Sequence, residues 1–288
     1  MRKEPVLPGR SDRPRLTGQS VLTGIGIGLM ALVLFFALFP EAVTAQSYAE
    51  QNLRQRLLPP ALDPQGSWEH PLGTDHLGRD LWARIVFGAR VSMTIALGAV
   101  LIAGMLGTSL GIVAGYYGGL LDDIIMRIAD IQLSFSPILL IIALMAVIGK
   151  NLQNIILVLA IVSWVQYARV ARGAALSIKR RGYIEAAQAV GVPGGRLMLR
   201  HILPNMARTL LVLAALNTSQ QILNESALSF LGLGVQPPTP AWGSMLNQGR
   251  EYFQVAWWNA VLPGMAILLS VLGINLIGDG LSVDGRIP

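Results

Sequence analysis

Six stretches of this chain are long enough and free enough of charge to cross a lipid bilayer, and that pattern limits its fold more than any other feature. A hydrocarbon core of about 30 Å requires about 20 apolar residues in a helix rising about 1.5 Å per residue. The candidate spans are Val21 to Phe39, a part of Val91 to Leu121, Ile131 to Gly149, Asn151 to Ala168, about Thr209 to Leu231 and about Trp258 to Gly278. Only the fifth contains a carboxylate, Glu225. With 53% hydrophobic and 13% charged residues, the composition does not suit a water-facing surface. The expected class is an all-α integral membrane protein.

The first span follows a basic tail (Arg2, Lys3, Arg10, Arg13, Arg15) and precedes Val43-Thr44-Ala45, as in a cleavable signal peptide. Its length favours a retained anchor, because 19 uncharged residues exceed a signal-peptide core of about 7 to 15. With the N-terminus inside, 15 of the 22 Lys and Arg lie in cytoplasmic segments, as the positive-inside rule requires. Both termini are therefore expected in the cytoplasm. The resulting division is a tail to residue 20, an anchor at 21–39, an extracytoplasmic segment at 40–90, a core at 91–280 and a tail at 281–288. The net charge of +6 resides in loops flanking apolar runs, so it points to membrane orientation and not to nucleic acid. Absence of cysteine excludes disulfides and thiolate metal sites.

The second span carries small residues at Ala99, Ala103, Gly107, Gly111, Gly115 and Gly119, a spacing that admits close approach of another helix. Because four residues overshoot one turn by about 40°, the stripe winds around the helix and can meet several neighbours. In the fifth span Asn217, Gln221, Asn224 and Glu225 recur at three- and four-residue steps, broadly on one face. Two readings stand for them, a wet path and hydrogen bonds between helices.

The segment Ser177 to Asn205 is too polar to span and too patterned for a plain linker. Tyr183 to Val190 suits a short helix, Gly191 a left-handed C-terminal cap, and Pro193 a stop. A second short helix is expected from about Arg196 to Leu203, ending at Pro204. The pair would lie across the cytoplasmic face and expose Glu185 to a soluble partner.

Glu185-Ala186-Ala187, then Gly191, then Leu203-Pro204 resemble the EAA loop of ABC importer permeases. Leu72-Gly73-Thr74-Asp75, Leu77-Gly78-Arg79-Asp80, Gly88-Ala89-Arg90, Gly115-Tyr116-Tyr117-Gly118-Gly119 and Leu228 to Gly243 are similar to the dipeptide, oligopeptide and nickel subfamily, and within it to the C-type member of the paired permeases. The resemblance covers about residues 55 to 282; the ending Leu281 to Arg286 departs from it. It implies a type I importer permease fold with about six transmembrane helices in a bacterial inner membrane. It also implies that the loop at 177–205 forms a coupling helix seated on an ATP-binding subunit. By the same resemblance the partners are a second permease, two ATPases holding ATP and Mg, and an extracytoplasmic binding protein docking on outside loops. Pro237, Pro238 and Trp242 are candidates for that docking. Short peptides are the expected cargo, with nickel complexes or glutathione as alternatives.

The residues themselves offer little catalysis. No phosphate-binding Gly-x-x-x-x-Gly-Lys-[Ser/Thr] run occurs. His70, Asp75 and His76 lack a spacing that would present them to a metal on one face, and the Gly-Thr-Asp turn explains Asp75 more simply. A stand-alone secondary transporter would call for an internal repeat, which the halves do not show.

Overall fold

The computed structural model describes residues 18–283; the basic N-terminal tail and the last residues of the divergent C-terminal tail lie outside the described residues. In chain order the helices are α1 (Gly18–Leu38), α2 (Pro40–Val43), α3 (Leu81–Tyr117), α4 (Gly119–Leu133), α5 (Pro137–Ile148), α6 (Leu152–Lys179), α7 (Gly182–Ala189), α8 (Gly194–Leu197), α9 (Leu203–Phe230), α10 (Trp242–Arg250) and α11 (Trp258–Val283).

Four of these, α1, α3, α6 and α11, are long and apolar enough to cross a membrane by themselves. The expected third span, Ile131 to Gly149, is not one helix. It is divided between α4 and α5, which meet at 92° and pass as a span only together. The break falls at Ser136-Pro137: proline lacks an N–H for the helix ladder, and its ring disfavours helical backbone at the preceding residue. The expected fifth span lies within α9, whose 28 residues have the length but whose polar residues dilute the apolar content. The second span begins at Leu81 rather than Val91, with Arg84 and Arg90 inside the helix. Both charges are matched. The Asp80 side chain caps the new start by accepting from Ala83 N–H, Arg84 pairs with Asp75, and Arg90 donates to the Ala37 and Leu38 carbonyls and pairs with Glu41 at 2.8 Å. Arg90 thereby satisfies carbonyl groups that the end of α1 leaves open.

The central contact is between α3 and α6, and three glycines explain it. A Cβ added at Gly107 would lie 2.7 Å from Tyr167 Cβ, one at Gly111 would lie 2.9 Å from Ala168 Cα and still closer to its carbonyl oxygen, and one at Gly115 would lie 2.9 Å from Ala175 Cβ. Bare backbone is thus required along this seam, which supplies the close dispersion contact that drives helix association in lipid. The expected stripe is real over this stretch, and there it faces one neighbour. Gly119 lies past the helix end with open space around it.

Gly111→Ala lowers stability by roughly 1–3 kcal/mol through overpacking, even though alanine is the better helix former. Gly173→Ala, in α6 with nothing within 4 Å of the added Cβ, is neutral or mildly stabilising. Thermal midpoints of the purified protein in one detergent compare the two; equal midpoints would remove the seam from the account.

Candidate functional site

The polar loop after α6 folds as α7, a turn, and α8. Its first helix, Gly182–Ala189, ends where the glycine signal places it. Gly191 has φ +85°, its N–H donates to the Gln188 carbonyl at 2.9 Å, and Val192 N–H donates to the Ala187 carbonyl at 3.1 Å. This double bond pattern with a left-handed glycine closes the helix C-terminus. A side chain at Gly191 would be strained by its backbone and not by crowding, since nothing lies within 4 Å.

The expected second helix, Arg196 to Leu203, does not stand alone. Residues Gly194–Leu197 form α8, Met198–Ile202 form a π-helical turn, and the chain runs on into α9. Pro204 sits in the first turn of α9, where a missing N–H is harmless, so it opens the long helix instead of ending a short one. Leu203 is half-buried and Pro204 exposed.

Of α7, Ile184 is completely buried, in a cluster with Ile112 of α3, Ala175 and Ile178 of α6, Leu197 of α8 and Ile202. Glu185 and Ala186 are exposed and Ala187 is half-buried. Tyr183 and Val190 are exposed as well, Val190 at 86%. The helix is thus seated mainly by Ile184, with Ala187 packed beside it, and presents an open face combining a carboxylate with apolar groups, a composition suited to protein contact.

On α9, Asn217, Gln221 and Glu225 are buried and Asn224 is half-buried. Glu225 is wholly enclosed, accepting from Ser229 Oγ at 2.7 Å and from Ser92 Oγ of α3 at 3.3 Å. Asn217 donates to the Leu213 carbonyl of its own helix, Asn224 accepts from Gln220, and Ser219 donates to Asn275 Oδ1 of α11 at 2.8 Å. Among the described residues, Glu225 is the one of these four that bonds to another helix, α3; Asn217 and Asn224 bond within α9, Gln221 Oε1 is buried without a hydrogen-bond partner, and it is Ser219 that links α9 to α11.

The outside segment is more structured than a 40–90 loop suggests. Asp75 is 4% exposed and pairs with Arg79 at 2.6 Å and with Arg84, and both guanidiniums also reach Gln248 of α10. Burial pushes the Asp75 carboxyl up, but the charges of Arg84 and Arg79 and the N–H groups of Arg79 and Leu77 outweigh it and hold the group below the ordinary aspartate range. His70 instead faces Asp80 at 2.9 Å, and His76 stacks on Tyr252 with its pKa lowered chiefly by burial. The three residues weighed as metal ligands thus point to three different partners.

Trp242 is not available for docking. It is 1% exposed, its indole donating to the Ile85 carbonyl at 3.0 Å, because α10 packs inside against α3. Pro237 and Pro238 are exposed. Trp257 is exposed and suits a membrane boundary, whereas Trp258 is buried and donates to the Thr74 carbonyl.

A family model described as "binding-protein-dependent transport system inner membrane component" matches residues 107–283, from the α3 seam through α7 to the end of α11. The chain belongs to this family. The permease is 44% identical to the dipeptide transport system permease protein DppC of Alkalihalophilus pseudofirmus, over 89% of this chain and 83% of that one. It is 39% identical to the glutathione transport system permease protein GsiD of Pectobacterium atrosepticum, over 91% and 84%. Among solved structures it is similar to a chain of the MetNI methionine ABC transporter in inward-facing conformations, with a TM-score of 0.56 and 18% identity over 70% of this chain and 96% of that one. The shared fold is that of an ABC importer permease. The permease is accordingly a multi-pass inner-membrane component of an importer served by a binding protein.

Sequence reasoning did not find the Asp75–Arg79–Arg84 cluster. Its trace was present: an Asp and an Arg four residues apart, flanked by glycines, just before an apolar helix. What no spacing reveals is Gln248, more than 160 residues after the arginines, as the fourth member.

Asp75→Asn strands two buried guanidiniums and costs about 3–5 kcal/mol. A depressed carboxyl contributes stability that is fully present above its unfolded value and is lost as pH falls through the folded one. Between the ordinary aspartate value and that lower one, the thermal midpoint of the native permease therefore falls, while that of Asp75→Asn lacks this part of the slope. Parallel acid profiles would disprove the assignment.

Proposed function

We propose that this permease imports short peptides, forming the translocation path with a second, similar permease and driven by two ATPases that bind ATP and Mg. The observation that carries the proposal is the seat of α7: one buried isoleucine anchors it in the helix bundle, and Glu185, Ala186 and Val190 remain open. A short helix fixed to the bundle on one face and free on the other suits an element whose two arrangements are biased by a docked partner. The clustering of Lys and Arg in the sequence supports a cytoplasmic side for α7 and both termini. The extracytoplasmic binding protein delivers cargo to the opposite end, where Pro237 and Pro238 are exposed. The permease itself makes and breaks no covalent bond.

Peptide cargo is supported by the relative named for dipeptide transport at 44% identity. Glutathione is the second reading, supported by the 39% identical relative named for it, and it too is a small peptide.

The expected outcome for the double variant Glu185→Lys, Gly191→Leu is a loss of ATP-driven uptake of about tenfold or more, as reversed charge and a strained cap act on one interface. Uptake of labelled alanyl-alanine and of glutathione by the complete importer in proteoliposomes measures it and separates the two cargoes. Undiminished uptake would show that α7 does not couple.

A further inference from the structure

In the Gly-Tyr-Tyr-Gly-Gly run at the end of α3, Gly115 belongs to the seam with α6 and the tyrosine after it is held from three sides. Tyr116 is 9% exposed although it lies at the end of a helix, next to a turn at Gly118 and Gly119 with φ +67° and +58°. Lys179, the last residue of α6, donates to the Tyr116 carbonyl at 2.6 Å, and its Nζ lies 5.3 Å from the ring centroid. The ammonium thus satisfies an open carbonyl at the negative end of α3 and rests on the ring face as well. Gln188 of α7 donates to the tyrosine hydroxyl at 3.4 Å. At the opening of α8, a Cβ on Gly194 would lie 2.8 Å from the ring, so the backbone there touches the aromatic edge.

We infer that Tyr116 is the residue through which movement of α7 is delivered to α3. The inference rests on α7 being the coupling helix. α3 has 37 residues and is about 55 Å long, and its far end begins at Asp80, beside the Asp75–Arg84 cluster. A push on the ring from α7 or α8 acts on the end of a rigid rod that is packed against α6 along its glycine seam. Such a rod can pass a displacement from the cytoplasmic loop to the outer face without bending. Tyr116 is a positioning residue in this role. It touches no cargo.

The test uses the complete importer in proteoliposomes and whichever of alanyl-alanine and glutathione the native complex imports, and reads ATP hydrolysed per molecule imported. Tyr116→Ala and Gly194→Ala should raise that ratio, by about tenfold for Tyr116→Ala. Tyr116→Phe, which keeps the ring, should stay within about twofold of native. Ile141→Ala, in α5 and fully buried in an apolar cluster that does not include α7 or Tyr116, should lower the thermal midpoint with the ratio unchanged. If Tyr116→Ala does not assemble, Gly194→Ala decides alone, since it leaves every native side chain in place. An unchanged ratio in Gly194→Ala together with Tyr116→Ala, or in Gly194→Ala alone if only it assembles, overturns the inference. An unchanged uptake in the Glu185→Lys, Gly191→Leu variant would instead overturn the coupling reading beneath it.

Discussion

The backbone of α3 lies directly on the backbone of α6, and most of the structure is arranged around that contact. Lipid tails are as apolar as leucine, so burial gives two helices in a bilayer little reason to associate. Close dispersion contact remains, and it requires that nothing stand between the main chains. Glycines at 107, 111 and 115 meet that need against Trp164 through Ala175 of α6. Within the same stretch, Arg172 binds Asp122 of α4 through two nitrogens, at 2.5 and 2.6 Å, which brings the bent α4–α5 pair to the same support.

With that seam in place, each end of α3 is tied to a different part of the subunit. At one end Ile184 and Tyr116 tie the short α7 to the bundle. At the other, two guanidiniums and one aspartate sit where charge would be costly if unpaired, joined to α10 through Gln248. Trp258 and Asn259 of α11 both donate to the Thr74 carbonyl in the same region, so the segment before α3 is part of the folded body. Glu225 sits between these ends, its hydrogen bonds coming from serine hydroxyls of α3 and α9.

Much of this was legible along the chain. Gly191 is a helix cap because the residue pattern before it is helical and only glycine takes φ +85° without strain. The apolar lengths revealed four spans outright. Ser136-Pro137 already carried the signal that Ile131 to Gly149 could not remain one helix, but apolar continuity outweighed it in the reading. Trp242 misled for another reason. A tryptophan among prolines in an outside loop has the composition of a docking site, and its burial depends on α10 folding inward, which no local pattern announces.

By itself the sequence determined what acts over short range: which segments bilayer thickness permits, where helices stop, and which loop resembles the EAA loop of importer permeases. Only the tertiary structure decided pairings across distance. Arg84 with Gln248, Glu225 with Ser92, and Tyr116 with Gln188 each join helices far apart in the chain. The physical reason is that a polar or aromatic side chain states a need for a partner without naming it, and the packing of whole helices selects which partner comes within reach.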